Sequence, residues 1–294
     1  MKGRFVVAFI YTAVIMVPSG FCAELAPYIE YQKYGSINWT RGIIHAIGFG
    51  KPDETGSTKP LDAGVKALYH AKKNARRHLI DIVRKIQIDS HGSISKIVDT
   101  NYSISAKMNE MIFEAQEIEK LRRSRTDGTV EVHMQLNLYG GLSQLVLPQE
   151  IRQIESIKRV RPAKKKSFQQ TGTSSTAEIF TGLVIDARGI PAVPALVPRL
   201  LDENGQAVFG TAFASREFAV QWGMSSYTTD NYASLRSQRV GWNPLVVRGL
   251  RTLEPGHSDI IISNTDAAKL LSSSQHLLFL KECRVIIALD PPAK

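Results

Sequence analysis

The stretch VKALYHAKKNARRHLIDIVRKI, residues 65–86, decides how the rest of the chain is read. Its apolar residues Val65, Leu68, Tyr69, Ala75, Leu79, Ile82, Val83 and Ile86 recur at spacings of three, four and seven, which predicts a helix with one buried face. Lys66, Lys72, Lys73, Arg76, Arg77, Arg84 and Lys85 fall between them, on the faces left to water. Asp62 is the expected N-cap, its carboxylate taking up free backbone N–H groups.

The flanks of the helix read as strands. Residues 130–138, VEVHMQLNL, alternate apolar and polar side chains, so one face is expected to be dry and the other wet. The Asp127-Gly128 pair ahead of them is a hairpin signal, because a tight primed turn needs positive φ. The partner strand is expected at about Ala115 to Arg123. Upstream, Ile43 to Gly50 reads as a strand ending in glycines. Strand, long helix, ambiguous segment and hairpin are simplest to satisfy as a helix on one face of a small antiparallel sheet.

Several residues together carry a family resemblance over about residues 36–140. They are the glycine-rich strand, the helix bearing Ala63, Ala67, Ala71, Ala75, Asn74 and Arg77, the Ile-Gln-Ile-Asp-Ser segment at 86–90, and the closing strand from Asp127 to Val132. This part resembles the small outer-membrane lipoprotein family first described as a twenty-kilodalton antigen. It is also similar to the N-terminal module of the flagellar-ring assembly protein T. The resemblance implies an envelope protein that works through contacts, in a ring or at the outer membrane, and it carries no catalytic residues. One residue departs from the lipoprotein pattern: Phe21 precedes Cys22 where lipidation needs a small side chain, so lipidation is not expected.

Residues 1–23 read as a signal peptide. Lys2 and Arg4 are followed by an apolar run from Phe5 to Val17 and by Pro18-Ser19-Gly20. The run is short for a membrane span, and export to a periplasm or outer membrane of a Gram-negative cell is expected. Cys283 then stands alone in an apolar run, as a buried structural thiol. Without Lys2 and Arg4 the chain keeps 35 basic residues against 27 acidic, a net charge of +8 from the original +10. For an exported protein this charge points to an anionic envelope surface rather than to nucleic acid.

The chain divides accordingly into a first domain at 24–148, a basic polar linker at 149–176 and a second domain at 177–294. The linker carries Lys164, Lys165 and Lys166, a candidate tether. In the second domain the expected strands are Ile179 to Ile185, Ala195 to Leu201, Ala207 to Phe209, Leu245 to Leu250, Asp259 to Ser263 and Arg284 to Leu289. A helix is expected at Ala214 to Trp222, and another from Thr265 to Leu271 capped by Asn264. The closing order strand, helix, strand suggests a crossover unit. The Asp186-Ala187-Arg188-Gly189 turn and the Asp259 to Ser263 strand entering a helix resemble only uncharacterised exported proteins. The expected fold class is therefore α+β: two small α/β-sandwich-like modules, each a mostly antiparallel sheet with helices on one face, joined by a basic linker.

No catalytic constellation stands out. The seven histidines show no metal-ligand spacing, and His257-Ser258-Asp259 holds triad residue types in direct succession rather than dispersed. Gly48-Phe49-Gly50 lacks the remainder of a phosphate loop. Residues 263–266 are read as an ordinary helix cap. A hydrolase would need converging carboxylates such as Asp186 and Asp259 with raised pKa values. The sequence thus favours a non-catalytic exported envelope protein in assembly or scaffolding, without cofactor or metal. Its expected partners are envelope proteins, the anionic envelope surface or further copies of itself, meeting at exposed β edges. The alternative is a periplasmic small-ligand or glycan binder using Trp222, Trp242, Tyr227 and Tyr232 as a stacking surface.

Overall fold

The computed structural model describes residues 25–52, 60–151, 179–230 and 234–292. The expected signal peptide with Cys22, the Lys164–Lys166 cluster and Tyr232 lie outside the described residues.

The first module is built on strands β1 (Ile29–Gln32), β2 (Gly35–Asn38) and β3 (Ile43–Gly50), followed by helix α1 (Pro60–Lys85). A small hairpin of β4 (Gln87–Asp89) and β5 (Gly92–Ser93) leads to α2 (Ile94–Thr100) and α3 (Tyr102–Phe113). The short strands β6 (Gln116–Glu117) and β7 (Arg123–Ser124) both pair with β8 (Val130–Asn137), and α4 (Gly141–Val146) closes the module. The sheet runs β1-β2-β3-β8-β6 and is antiparallel throughout. The expected single strand at 115–123 is broken by a 3₁₀ turn at Glu119–Leu121. The hairpin turn is as read: Gly128 has φ +79° and its N–H donates to Arg125 O at 3.0 Å.

What docks α1 on this sheet is the smallness of the side chains between them. A Cβ built on Gly48 would lie 2.1 Å from Ala71 O, and one on Gly50 would lie 1.9 Å from Ala67 O. The helix answers with Ala67, Ala71 and Ala75, all fully buried. Val65 and Tyr69, expected on the buried face, are 63% exposed. The glycines let the backbones come so close that only alanine fits the seam, which rotates the larger residues out. Asp62 lies in the first turn of a helix that begins at Pro60, so it is not the N-cap. Asn74 Nδ2 donates to Phe49 O at 2.7 Å and ties the helix to the strand.

The second module holds two sheets. Strands β9 (Gly182–Asp186), β12 (Ser226–Thr228), β13 (Pro244–Arg248) and β16 (Val285–Ala288) form one in the order β12-β16-β9-β13. Strands β10 (Arg199–Leu201), β11 (Ala207–Phe209), β14 (Arg251–Thr252) and β15 (Asp259–Ile261) form the other, in the order β11-β10-β15-β14. Helix α5 (Arg216–Trp222) precedes β12, and α6 (Asn264–Leu271) and α7 (Ser274–Lys281) carry the chain from β15 to β16. The protein is α+β. Strand direction in the second module nevertheless departs from the expected antiparallel sheet, since every pair in the β12-β16-β9-β13 sheet is parallel. The reason is burial: β12 and β16 are buried at every residue and β9 at all but one, as parallel strands covered on both faces must be. Ser263, rather than Asn264, caps α6, its side chain accepting from Asp266 N at 3.0 Å.

The two modules pack directly on each other. Leu196 N donates to Gln87 O at 3.0 Å and Val197 N to Ile88 O at 2.7 Å, which adds main-chain pairing between them. Pro27 bridges Thr228, and the Trp39 ring meets Tyr227 edge-on with centroids 5.7 Å apart. One hydrophobic core runs continuously from Tyr28 to Leu289. Ile151, at the start of the expected linker, is fully buried in it.

Candidate functional site

Trp222 and Trp242, read together as one stacking surface, occupy different places. Trp222 ends α5 and is 60% exposed on a groove of about 520 Å³ between the modules. Leu25 and Thr40 of the first module and Ser226, Arg239 and Arg284 of the second share its walls. The geometry there is held by Arg239. Its guanidinium donates to Trp222 O at 2.8 Å, to Gly223 O at 2.7 Å and twice to Cys283 O, at 3.0 and 2.7 Å. Those carbonyls belong to the end of α5 and to the turn before β16, so one half-buried cation fixes both walls. Cys283 is the buried thiol expected, pushed up to about 12 by burial.

Trp242 lies just ahead of β13 and is 83% exposed. Strand β13 ends the parallel sheet, with β9 on one side and no further strand beyond it among the described residues. Its buried Leu245 and Val247 alternate with exposed Val246 and Arg248. An open, partly apolar edge of this kind is a template for pairing with another chain. Tyr227, by contrast, belongs to the core: it is 1% exposed, and its hydroxyl donates to Ala195 O at 2.7 Å.

The polar face of the first sheet gathers a chain that spacing in the sequence does not show. His45 Nε2 lies 3.0 Å from His133 Nδ1, and His133 Nε2 lies 2.8 Å from Glu131 Oε1. Burial lowers the pKa of His45, and the neighbouring His133 lowers it further. Burial alone would raise that of Glu131, but the hydrogen bond and charge of His133 and the adjacent arginines outweigh it and hold the carboxyl low. His45 and His133 are 88 residues apart, and the available signal was their shared position on the wet faces of two alternating strands. Among the described residues no three histidine, cysteine or carboxylate side chains gather as a metal site.

The carboxylates offered for hydrolysis do not converge. Arg188 holds Asp186 by two hydrogen bonds of 2.8 and 2.9 Å, and that contact lowers the carboxyl pKa, opposite to what a general acid needs. Asp259 is 1% exposed and accepts from Arg199 and, at 2.7 Å, from Ser90 Oγ. His257 turns to Thr252 Oγ1 at 2.9 Å, and Ser258 is buried apart from both. The three neighbours thus read as a turn into a strand, as expected.

Two hollows also lie along α1. One, of about 720 Å³, runs from Asp81, Arg84 and Lys85 to the β4–β5 turn and to Pro255-Gly256 of the second module. The other, of about 300 Å³, lies between Lys33-Tyr34 and the helix residues Arg77, His78, Asp81 and Lys85. They share Asp81 and Lys85 and so form one trough.

Comparison with known proteins bears on the second module. Residues 182–291 match a protein family described as Treponema pallidum Tp0624, second domain. The similarity therefore spans the segment from β9 to just beyond β16, both sheets included, and leaves the first module outside it. No curated protein matches the chain.

Proposed function

We propose that this protein is a non-catalytic, exported component of the cell envelope that acts by contact, in assembly or scaffolding at the outer membrane or the flagellum. The observation that carries the reading is the open edge at β13, where Trp242 and Val246 stand exposed beside unpaired strand backbone. Strand addition at such an edge supplies main-chain hydrogen bonds, and the side chains supply specificity. The partners are envelope proteins or further copies of the chain. The test is crosslinking of the tagged protein in its own cells, followed by mass spectrometry, with Val246→Pro as the edge-blocking variant. Basal-body, outer-membrane or self-crosslinked species that disappear in the variant are the expected result. Recovery of monomer alone would overturn the reading.

A second reading rests on the Trp222 groove, whose volume suits a small ligand and whose exposed indole suits a glycan ring. Trp222→Ala is expected to abolish retention on a glycan array without lowering the melting temperature. Unchanged retention would remove it.

A further inference from the structure

We infer that the trough along α1 binds a phosphate-bearing sugar. The inference goes beyond the reading above: it takes up the anionic partner expected from the net charge and does not rest on the β13 edge. Helix α1 sets Arg77, Asp81 and Arg84 at spacings of four and three along one ridge, with Lys85 four residues beyond Asp81 at its side. Lys33, at the turn between β1 and β2, faces this ridge across the smaller hollow. Four cations thus line the trough, and Asp81 is the one carboxylate among its described lining residues. Arg84 spends part of its charge on Asp99 at 2.7 Å, outside the trough lining, and the local excess stays positive.

The remaining lining fits a polyol better than a bare ion. Ser93 and Ser95 bring hydroxyl groups to the larger hollow, and the Tyr34 ring, stacked on His78 at 4.2 Å, walls the smaller one. A phosphate placed in the smaller hollow among Lys33, Arg77 and Lys85 receives charge-assisted hydrogen bonds. Asp81, which would repel that phosphate, is suited to accept from the sugar hydroxyls. The floor exists only while the modules stay packed, because a Cβ on Gly256 would lie 2.5 Å from Ser90 Cα and O. The sugar phosphate is either free in solution or the headgroup of a glycolipid.

The test is titration calorimetry of the full chain with glucose 6-phosphate and with glucose, beside co-sedimentation with phosphatidylcholine vesicles carrying monophosphoryl lipid A. Glucose 6-phosphate is expected to bind and glucose not. The Arg77→Gln/Lys85→Gln double variant should lose at least about ten-fold in affinity, or about 1.4 kcal/mol, at an unchanged melting temperature. Binding in the calorimeter points to a free sugar phosphate, and sedimentation without it to a lipid headgroup. Either supports the site if the double variant abolishes it. Should the double variant fail to fold, Asp81→Asn keeps the test: it should tighten inorganic phosphate and weaken glucose 6-phosphate relative to it. No binding in either arm, equal binding of glucose, or vesicle binding untouched by the variants would overturn the site. Loss of all crosslinked partners would sink the assembly reading and leave this one standing.

Discussion

Adding one methyl group at Gly48 should unseat α1, whereas adding the same group at Gly64 should not. The Cβ of Gly48→Ala would sit 2.1 Å from Ala71 O and 2.3 Å from Ala75 N, both backbone atoms of a helix that cannot rotate them away. Ordinary carbon contacts begin near about 3.4 Å, so helix and strand must part by more than about 1 Å along their seam. Overfilling a packed core costs about 1–3 kcal/mol and sometimes more. With main chain as the obstacle, we expect the upper end, about 3 kcal/mol, or a fall in melting temperature of about 6–12 °C for a chain of this size. Gly64 lies in the same helix with nothing within 4 Å of its Cβ position. There, alanine should stabilise by about 0.5–1 kcal/mol, because it removes the entropy glycine loses on folding. Paired thermal and urea denaturation of the two variants decides the matter. If Gly48→Ala lies within about 0.5 kcal/mol of the parent, the glycine–alanine seam is not what docks the helix.

Asp259→Ala should cost about 2–4 kcal/mol, because it strands Arg199 and takes the buried carboxylate partner from the Ser90 hydroxyl in the junction. The figure is kept below that of a fully buried pair because the Arg199 side chain is 39% exposed. Ser90→Ala should cost about 1 kcal/mol, and urea titrations that rank the two equally would contradict the assignment. Acid should weaken the fold through His45. Its folded pKa lies below the usual 6.5, so the unfolded chain takes the proton first, and the contribution is whole above that pH and is lost as the pH falls below it. His45→Gln should flatten this part of a stability–pH curve, and a curve of unchanged slope would rule it out. Cys283, 1% exposed with its thiol pushed up to about 12, should resist iodoacetamide at pH 8 in the native state and react fully in urea. Native labelling at the unfolded rate would show the turn before β16 to be open.

Much of the first module was legible. Ile43 to Gly50 and Val130 to Asn137 are strands as read, because strict alternation has one physical solution at a half-buried sheet. The face of α1 was misread at Val65 and Tyr69, since periodicity ranks residues by hydrophobicity and cannot register that two glycines across the seam admit only alanine. In the second module strand β11, Ala207 to Phe209, was plain from its apolar run. Strand β12, inside a polar stretch, was not, because Ser226, Tyr227 and Thr228 are buried only through neighbours distant in sequence. The site residues divide in the same way. Both tryptophans were identifiable as unusual, but that they stand on separate surfaces follows from α5 and β13 lying at different places in the fold.

By itself the sequence determined the α+β class, the hairpin at Asp127-Gly128, the long basic helix and the burial of Cys283, each a consequence of local pattern or local backbone chemistry. Only the tertiary structure decided the parallel direction of the second sheet, the contact of His45 with His133 and Glu131, and the burial of Asp259 against Ser90. It alone gathered Lys33, Arg77 and Lys85 around one trough. The reason is physical. A residue's spacing along the chain fixes which side of its own element it takes, whereas what lies opposite is set by closures of 88 or 169 residues that no local pattern encodes.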